Sequence, residues 1–269
     1  MILGSGELFE EGRDMADEQP VALHCFAHAG AGVSSFYGWP ADLGDQVRAV
    51  PHLLPGREGR RREERVTGRE ALLADLMGHF TGEQGPSAPY VLYGHSLGAM
   101  VAYTLTRALY EAGLPTPALL AVGACPPPDA ASDLSDACRE SDEELLRMLG
   151  DVGAVPANAT AGGFWHRAVM PVLRDDLTLA DALRVAARVP LAGGPLPVPL
   201  LAVAGADDPL AQPEVMAGWR RWSTGPVITR TVPGDHFFVR GHELPRLLRR
   251  ACLVARRTAD DRTPAGALA

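Results

Sequence analysis

Three residues far apart along the chain are of the types needed to turn a hydroxyl into a nucleophile: Ser96, Asp208 and His236. Ser96 stands in Gly94-His95-Ser96-Leu97-Gly98, a G-x-S-x-G string with an apolar run before it and helical spacing after it. That setting gives the string its meaning. A serine on a sharp strand-to-helix turn is pushed out above the sheet. A side chain two positions to either side would strike neighbouring backbone, so glycine is needed there. The helix behind the serine favours developing negative charge at its N-terminus.

A serine hydroxyl is a weak nucleophile at neutral pH and needs a positioned base. Of eight histidines, His236 lies in a loop between a terminal strand and the final helix, in Pro233-Gly234-Asp235-His236-Phe237-Phe238. Asp208 is the third residue after Gly205, at the end of an earlier apolar run, and Asp207 beside it is the alternative acid. The chain order Ser, Asp, His suits acyl transfer. His236 would take the Ser96 proton and return it to the leaving group, while Asp208 holds the ring tautomer and stabilises the imidazolium. A tetrahedral intermediate also needs two N–H donors. Leu97 supplies one, as the residue after the nucleophile. Ala29, in the small-residue turn His28-Ala29-Gly30-Ala31-Gly32, supplies the other. No histidine or cysteine pair has metal-ligand spacing, so no metal is expected.

The elements that must carry these residues follow from the apolar runs. Strand candidates fall at 21–27, 47–53, 89–93, 118–125, 200–204 and 227–232, each bounded by Gly, Pro or polar residues. Helical patterns follow the third and the last of them, at 99–112 and 244–255. This alternation predicts an α/β fold: a mostly parallel sheet with helices on both faces. Residues 129–192 contain no good strand. They read as three helical pieces, 142–149, 164–173 and 177–189, forming a lid insertion over the C-terminal edge of the sheet. A single domain is expected over 20–256, with flexible tails at 1–19 and 257–269.

The bulk composition agrees. A chain of 269 residues that is 46% hydrophobic can bury one sizeable core. A net charge of −8 argues against nucleic acid as partner, because phosphate binding needs a cationic face. No apolar run approaches the roughly 20 residues of a membrane helix. The start of the chain is acidic and lacks the apolar stretch of a signal peptide. Cys25, Cys125, Cys138 and Cys252 are scattered, as expected of reduced thiols in a cytoplasmic protein.

Six strings taken together resemble the type II thioesterases, the free-standing editing enzymes of polyketide and nonribosomal peptide synthases. They are F-A-H-A-G-A-G at 26–32, L-P-G-R-E at 54–58, Y-G-H-S-L-G-A at 93–99, G-A-D-D-P at 205–209, W-R-R-W at 219–222 and P-G-D-H-F-F at 233–238. The resemblance implies an α/β-hydrolase fold, with Ser96 acylated, His236 as base and Asp208 as orienter. It places the oxyanion on the amides of Ala29 and Leu97. It implies a substrate: aberrant or stalled acyl groups on the phosphopantetheine arm of an acyl or peptidyl carrier protein. No further cofactor is implied, and the expected form is a monomer meeting its carrier transiently. A general serine esterase or lipase, or a chain-releasing thioesterase, is the competing reading.

Two further sets of residues bear on the substrate. Phe164, Trp165, Met170 and Leu173 lie in the lid. Trp165 and Met170 are the candidates for an acyl or pantetheine channel, the others for the lid's own packing. Arg57, Arg60, Arg61, Arg62 and Arg65 crowd the loop after the second strand, partly offset by Glu58, Glu63 and Glu64. Arg61 and Arg62 are the candidates for docking an acidic carrier or its phosphate.

Overall fold

Short apolar runs rich in Val, Leu and Ala build six strands: β1 (Val21–Phe26), β2 (Val47–His52), β3 (Val91–His95), β4 (Leu119–Gly123), β5 (Leu200–Gly205) and β6 (Val227–Val232). They form one sheet in the order β2-β1-β3-β4-β5-β6, and every neighbouring pair in it is parallel. The computed structural model describes residues 19–82, 85–86, 88–132, 139–153, 155, 160 and 162–262, with Phe164, Trp165 and Arg262 described for their backbone only. The third strand runs on to His95 instead of ending at Tyr93, because its ladder with β4 continues to the His95–Gly123 pair. That extension carries the chain directly into Ser96.

Side-chain alternation sorts the helices onto two faces. Val91 and Tyr93 of β3 face one core, and Leu92 faces the other. The first core is closed by α1 (Trp39–Leu43) and α7 (Glu243–Arg262), through Trp39, Leu43, Leu244, Leu248 and Cys252. The second is closed by α2 (Arg69–Leu76), α3 (Leu97–Glu111) and α5 (Phe164–Ala187), through Leu72, Met100, Leu105, Leu179 and Leu183. A smaller cluster joins α4 (Asp142–Asp151) to α5 through Leu145, Leu149, Met170, Leu173 and Leu177. A short α6 (Pro213–Met216) follows β5. Cys25, Cys125 and Cys252 are buried free thiols, while Cys138 lies outside the described residues.

Two helices differ from expectation. The pieces expected at 164–173 and 177–189 are one helix, α5, with Pro171 inside it. Pro171 removes one backbone donor. The helix continues through it because Met170, Leu173 and Leu177, at i, i+3 and i+7, share a face against α4. The final helix, α7, runs to Arg262, past the expected start of a tail at 257. Ala255 is buried and anchors its C-terminal half, and Thr258 donates to the Val254 carbonyl at 3.0 Å. Extending a nucleated helix is easier than starting one. Residues 1–18 and 263–269 lie outside the description. No helix of the described residues is long and apolar enough to cross a membrane.

Candidate active site

Ser96 occupies the single position between β3 and α3, with φ 54° and ψ −117°. A non-glycine residue there costs about 1–3 kcal/mol, so its surroundings must enforce the conformation. They do so by close approach. A Cβ on Gly94 would stand 1.9 Å from the Gly98 carbonyl oxygen, and one on Gly98 would stand 2.1 Å from the Phe26 carbonyl oxygen. The Ser96 N–H donates to the Gly123 carbonyl at 2.8 Å, tying the turn to β4. Both glycines of the motif are therefore required by packing of the backbone itself.

The turn brings three distant side chains into line. His236 Nε2 lies 3.2 Å from Ser96 Oγ, and His236 Nδ1 lies 3.0 and 3.1 Å from the two carboxylate oxygens of Asp208. The carboxylate accepts the Nδ1 proton, which leaves Nε2 as an acceptor facing the hydroxyl. All three residues are buried. Asp208 Oδ1 also accepts the amides of Leu210 at 2.9 Å and Ala211 at 3.2 Å. Asp207, the alternative acid, is exposed, and its own amide donates to the Gly234 carbonyl at 3.0 Å. The structure thus brings Asp208, not Asp207, to the imidazole.

His95 has a role that the sequence does not reveal. Its Nε2 donates to the backbone carbonyl of His236 at 2.8 Å, so its Nδ1 accepts from the Tyr93 hydroxyl at 2.7 Å. Burial, followed by the nearby His236, holds its pKa well below the usual histidine range. A neutral ring suits a relay with one donor and one acceptor. His95 therefore fixes the backbone of the loop that carries the base.

Ala29, Ser96, Leu97 and His236 share one small recess of about 40 Å³. Leu97 opens α3, so its N–H stands outside the intrahelical ladder. The Ala29 N–H has no acceptor among the described residues. A cavity of about 560 Å³ adjoins Ser96 and His236 and is walled by the His28–Ala31 turn, by Val169, Leu173 and Leu177 of α5, and by Phe237 and Arg240. Arg240 stacks over the Phe237 ring at 4.5 Å. His28 lines the same cavity, and burial lowers its pKa to about 4. A larger groove of about 800 Å³ runs between β6 and α7 and holds none of the triad.

The lid expectations need correction. Met170 does not line the cavity: it is buried between α4 and α5 with Leu145 and Leu149. Val169, about 100° round the helix, lines the cavity, and Leu173 and Leu177 reach it from the edge of the face they share with Met170. The Trp165 side chain lies outside the described residues. The arginine loop divides as well. Arg57 is buried on Asp176, Arg60 pairs with Glu63 and Asp75, and Arg65 pairs with Asp175. Arg61 and Arg62 are exposed, with no ion pair among the described residues.

A parallel six-stranded sheet, a strained serine between strand and helix, and a helical excursion between β4 and β5 define the α/β-hydrolase fold. Within it, residues 21–251 match the thioesterase domain family, and the chain belongs to that family of enzymes hydrolysing thioesters. It is 34% identical to RedJ, a thioesterase from the prodiginine biosynthetic pathway in Streptomyces coelicolor, covering 86% of this chain and 90% of that one with a TM-score of 0.73. It is 25% identical to YbtT, a type II thioesterase from a yersiniabactin NRPS/PKS biosynthetic pathway, covering 90% and 95% with a TM-score of 0.75. The thioesterase PikA5 of Streptomyces venezuelae is 29% identical over 92% of this chain and 86% of its own length. The family resemblance read from the motifs is borne out.

Proposed function

We propose that this enzyme is a type II thioesterase that removes aberrant or stalled acyl groups from the phosphopantetheine arm of carrier proteins in a polyketide or nonribosomal peptide synthase. The observation that carries the chemistry is the buried line from Asp208 through His236 to Ser96 Oγ. The pathway is supported by the descriptions of its relatives.

In this reading Ser96 Oγ attacks the thioester carbonyl as His236 Nε2 takes its proton. Negative charge on the former carbonyl oxygen is met by the Ala29 and Leu97 amides. The carbon–sulfur bond breaks, and the imidazolium returns the proton to the departing pantetheine thiolate. Water, deprotonated by the same imidazole, then attacks the acyl-serine and frees the acid and Ser96. Side chains and backbone amides carry each step, without a cofactor. The carrier meets the protein transiently, and the enzyme works as a cytoplasmic monomer.

Ser96 is tested by fluorophosphonate labelling. The unaltered protein should label at one serine, and Ser96→Ala should not label at all. Labelling that survives the substitution would refute the mechanism. Exposed, unpaired cations suit an acidic carrier, which supports Arg61 and Arg62 as the docking pair. Arg61→Glu/Arg62→Glu should raise KM for an acyl-carrier protein about tenfold, a loss of about 1.4 kcal/mol, and leave a small acyl-pantetheine thioester unchanged. Equal effects on both substrates would reject docking there.

A further inference from the structure

The turn that carries Ala29 is held from outside by a buried ion pair whose members stand 119 residues apart. Within the turn, the Ala31 N–H donates to the His28 carbonyl at 3.1 Å, and Gly30 has φ 76°. A positive φ at the third residue marks a type II turn. A type I turn joins the same end points with its central peptide flipped, so the turn's own closing bond does not choose between them. The flip would turn over the Ala29 carbonyl and the Gly30 N–H, and both are held: His28 Nδ1 donates to the Ala29 carbonyl at 3.0 Å, and Asp176 of α5 holds the other end. Its Oδ2 accepts the Gly30 N–H at 2.7 Å. Arg57 holds that carboxylate on both sides, Nη2 to Oδ1 at 2.6 Å and Nη1 to Oδ2 at 2.8 Å. Arg57 Nη1 also donates to the Ala31 carbonyl at 3.0 Å. One ion pair therefore grips the turn at the amide of Gly30 and the carbonyl of Ala31, and leaves the Ala29 N–H free.

Asp176 is 1% exposed and Arg57 is 8% exposed. Buried pairs of this kind often give no more stability than apolar residues of the same size. Their position against the reacting centre points to a different use. We propose that Asp176 is a positioning residue for the reaction: with Arg57 it pins the turn, at the Gly30 amide and the Ala31 carbonyl, where its Ala29 N–H stands at the oxyanion. Asp176 rides on the helix that also walls the cavity through Val169, Leu173 and Leu177. The oxyanion hole is then complete only when that helix is seated. The inference rests on the thioesterase mechanism proposed above.

Two double variants separate this role from folding. Arg57→Met/Asp176→Leu and Arg57→Met/Asp176→Asn both remove the charges, but only the asparagine keeps an oxygen for Gly30. On an acyl-pantetheine thioester the leucine variant should lose about 10²-fold in kcat, with KM within about twofold, as for loss of one oxyanion donor. The asparagine variant should regain at least about tenfold at a matching melting temperature. Equal kcat in the two variants, or a loss carried by KM, overturns the proposal. Should the leucine variant not fold, the Gly30 amide of the unaltered protein provides the test. Exchange with solvent as slow as that of the β3 amides supports the clamp, and exchange at an exposed-loop rate overturns it. Hydrolysis and fluorophosphonate labelling by the unaltered protein are read first. Absence of both removes the mechanism and this proposal together, whereas their presence with indistinguishable variants removes only the role of Asp176.

Discussion

Asp207 and Asp208 are adjacent carboxylates in opposite surroundings. Asp208 is buried on the imidazole, with two amides behind it, while Asp207 points to solvent. Asp208→Asn should therefore cut kcat by about 10⁴-fold, since the amide no longer holds the productive tautomer. Asp207→Asn should stay within about twofold, and steady-state kinetics on one thioester measures both. His95→Phe keeps a ring in place but removes the bond to the His236 carbonyl. It should lower kcat about tenfold and leave KM unchanged; unchanged kcat would remove His95 from the positioning role. Ser96 and His236 were legible as partners in the sequence because their signals are local: a glycine-flanked serine, and a histidine after the last strand. The pairing of Arg57 with Asp176 was not legible, because it is a contact between residues 119 apart. The relay through His95 was hidden for the same reason: its partner is the main chain of a residue 141 positions on.

At the scale of elements, the elbow works because β1, β3 and α3 approach at backbone contact. Gly98→Ala drives a methyl group into the Phe26 carbonyl, and it should destabilise the fold by about 3 kcal/mol or more. That corresponds to a fall in melting temperature of roughly 6–12 °C for a domain this size. Gly78→Ala, where an added Cβ meets nothing within 4 Å, is the control and should melt within about a degree of the unaltered protein. The strands were legible as short apolar runs with Gly/Pro bounds, and β3, β4 and β5 are buried at every position. The lid was not. Its apolar residues serve two surfaces at once, α4 and the cavity, and helical spacing does not say which side chain takes which. Met170 was misplaced for that reason, while Leu173 packs in the lid as expected and lines the cavity as well. The expected gap at 174–176 falls inside one continuous helix, which also passes through Pro171.

The whole molecule carries a set of histidines that burial keeps neutral. His24 Nδ1 lies 2.8 Å from His52 Nε2, and burial lowers their values to about 4 and about 3, with neighbouring cations and histidines adding to the shift. His28 is lowered to about 4, and His95 lies well below the usual range. In the unfolded chain each binds a proton near pH 6.5. Between about pH 6.5 and 4 the unfolded state therefore holds more protons, and stability falls as pH falls through that window. Melting temperature should drop by roughly 10 °C across it, and His52→Phe should flatten the slope. A flat profile down to pH 4 would mean that these rings take up protons without loss of fold. At neutral pH the net charge of −8 would repel an acidic partner, so the proposed docking rests on local cations such as Arg61 and Arg62. The proposed reaction is hydrolysis of thioesters presented on a carrier arm. Its most direct test is release of the acyl group from a loaded carrier protein, followed by intact mass, beside the matched oxygen ester. The account predicts kcat/KM at least about tenfold higher for the thioester, abolished by Ser96→Ala. Equal or faster turnover of the oxygen ester, or release that persists without Ser96, would contradict it.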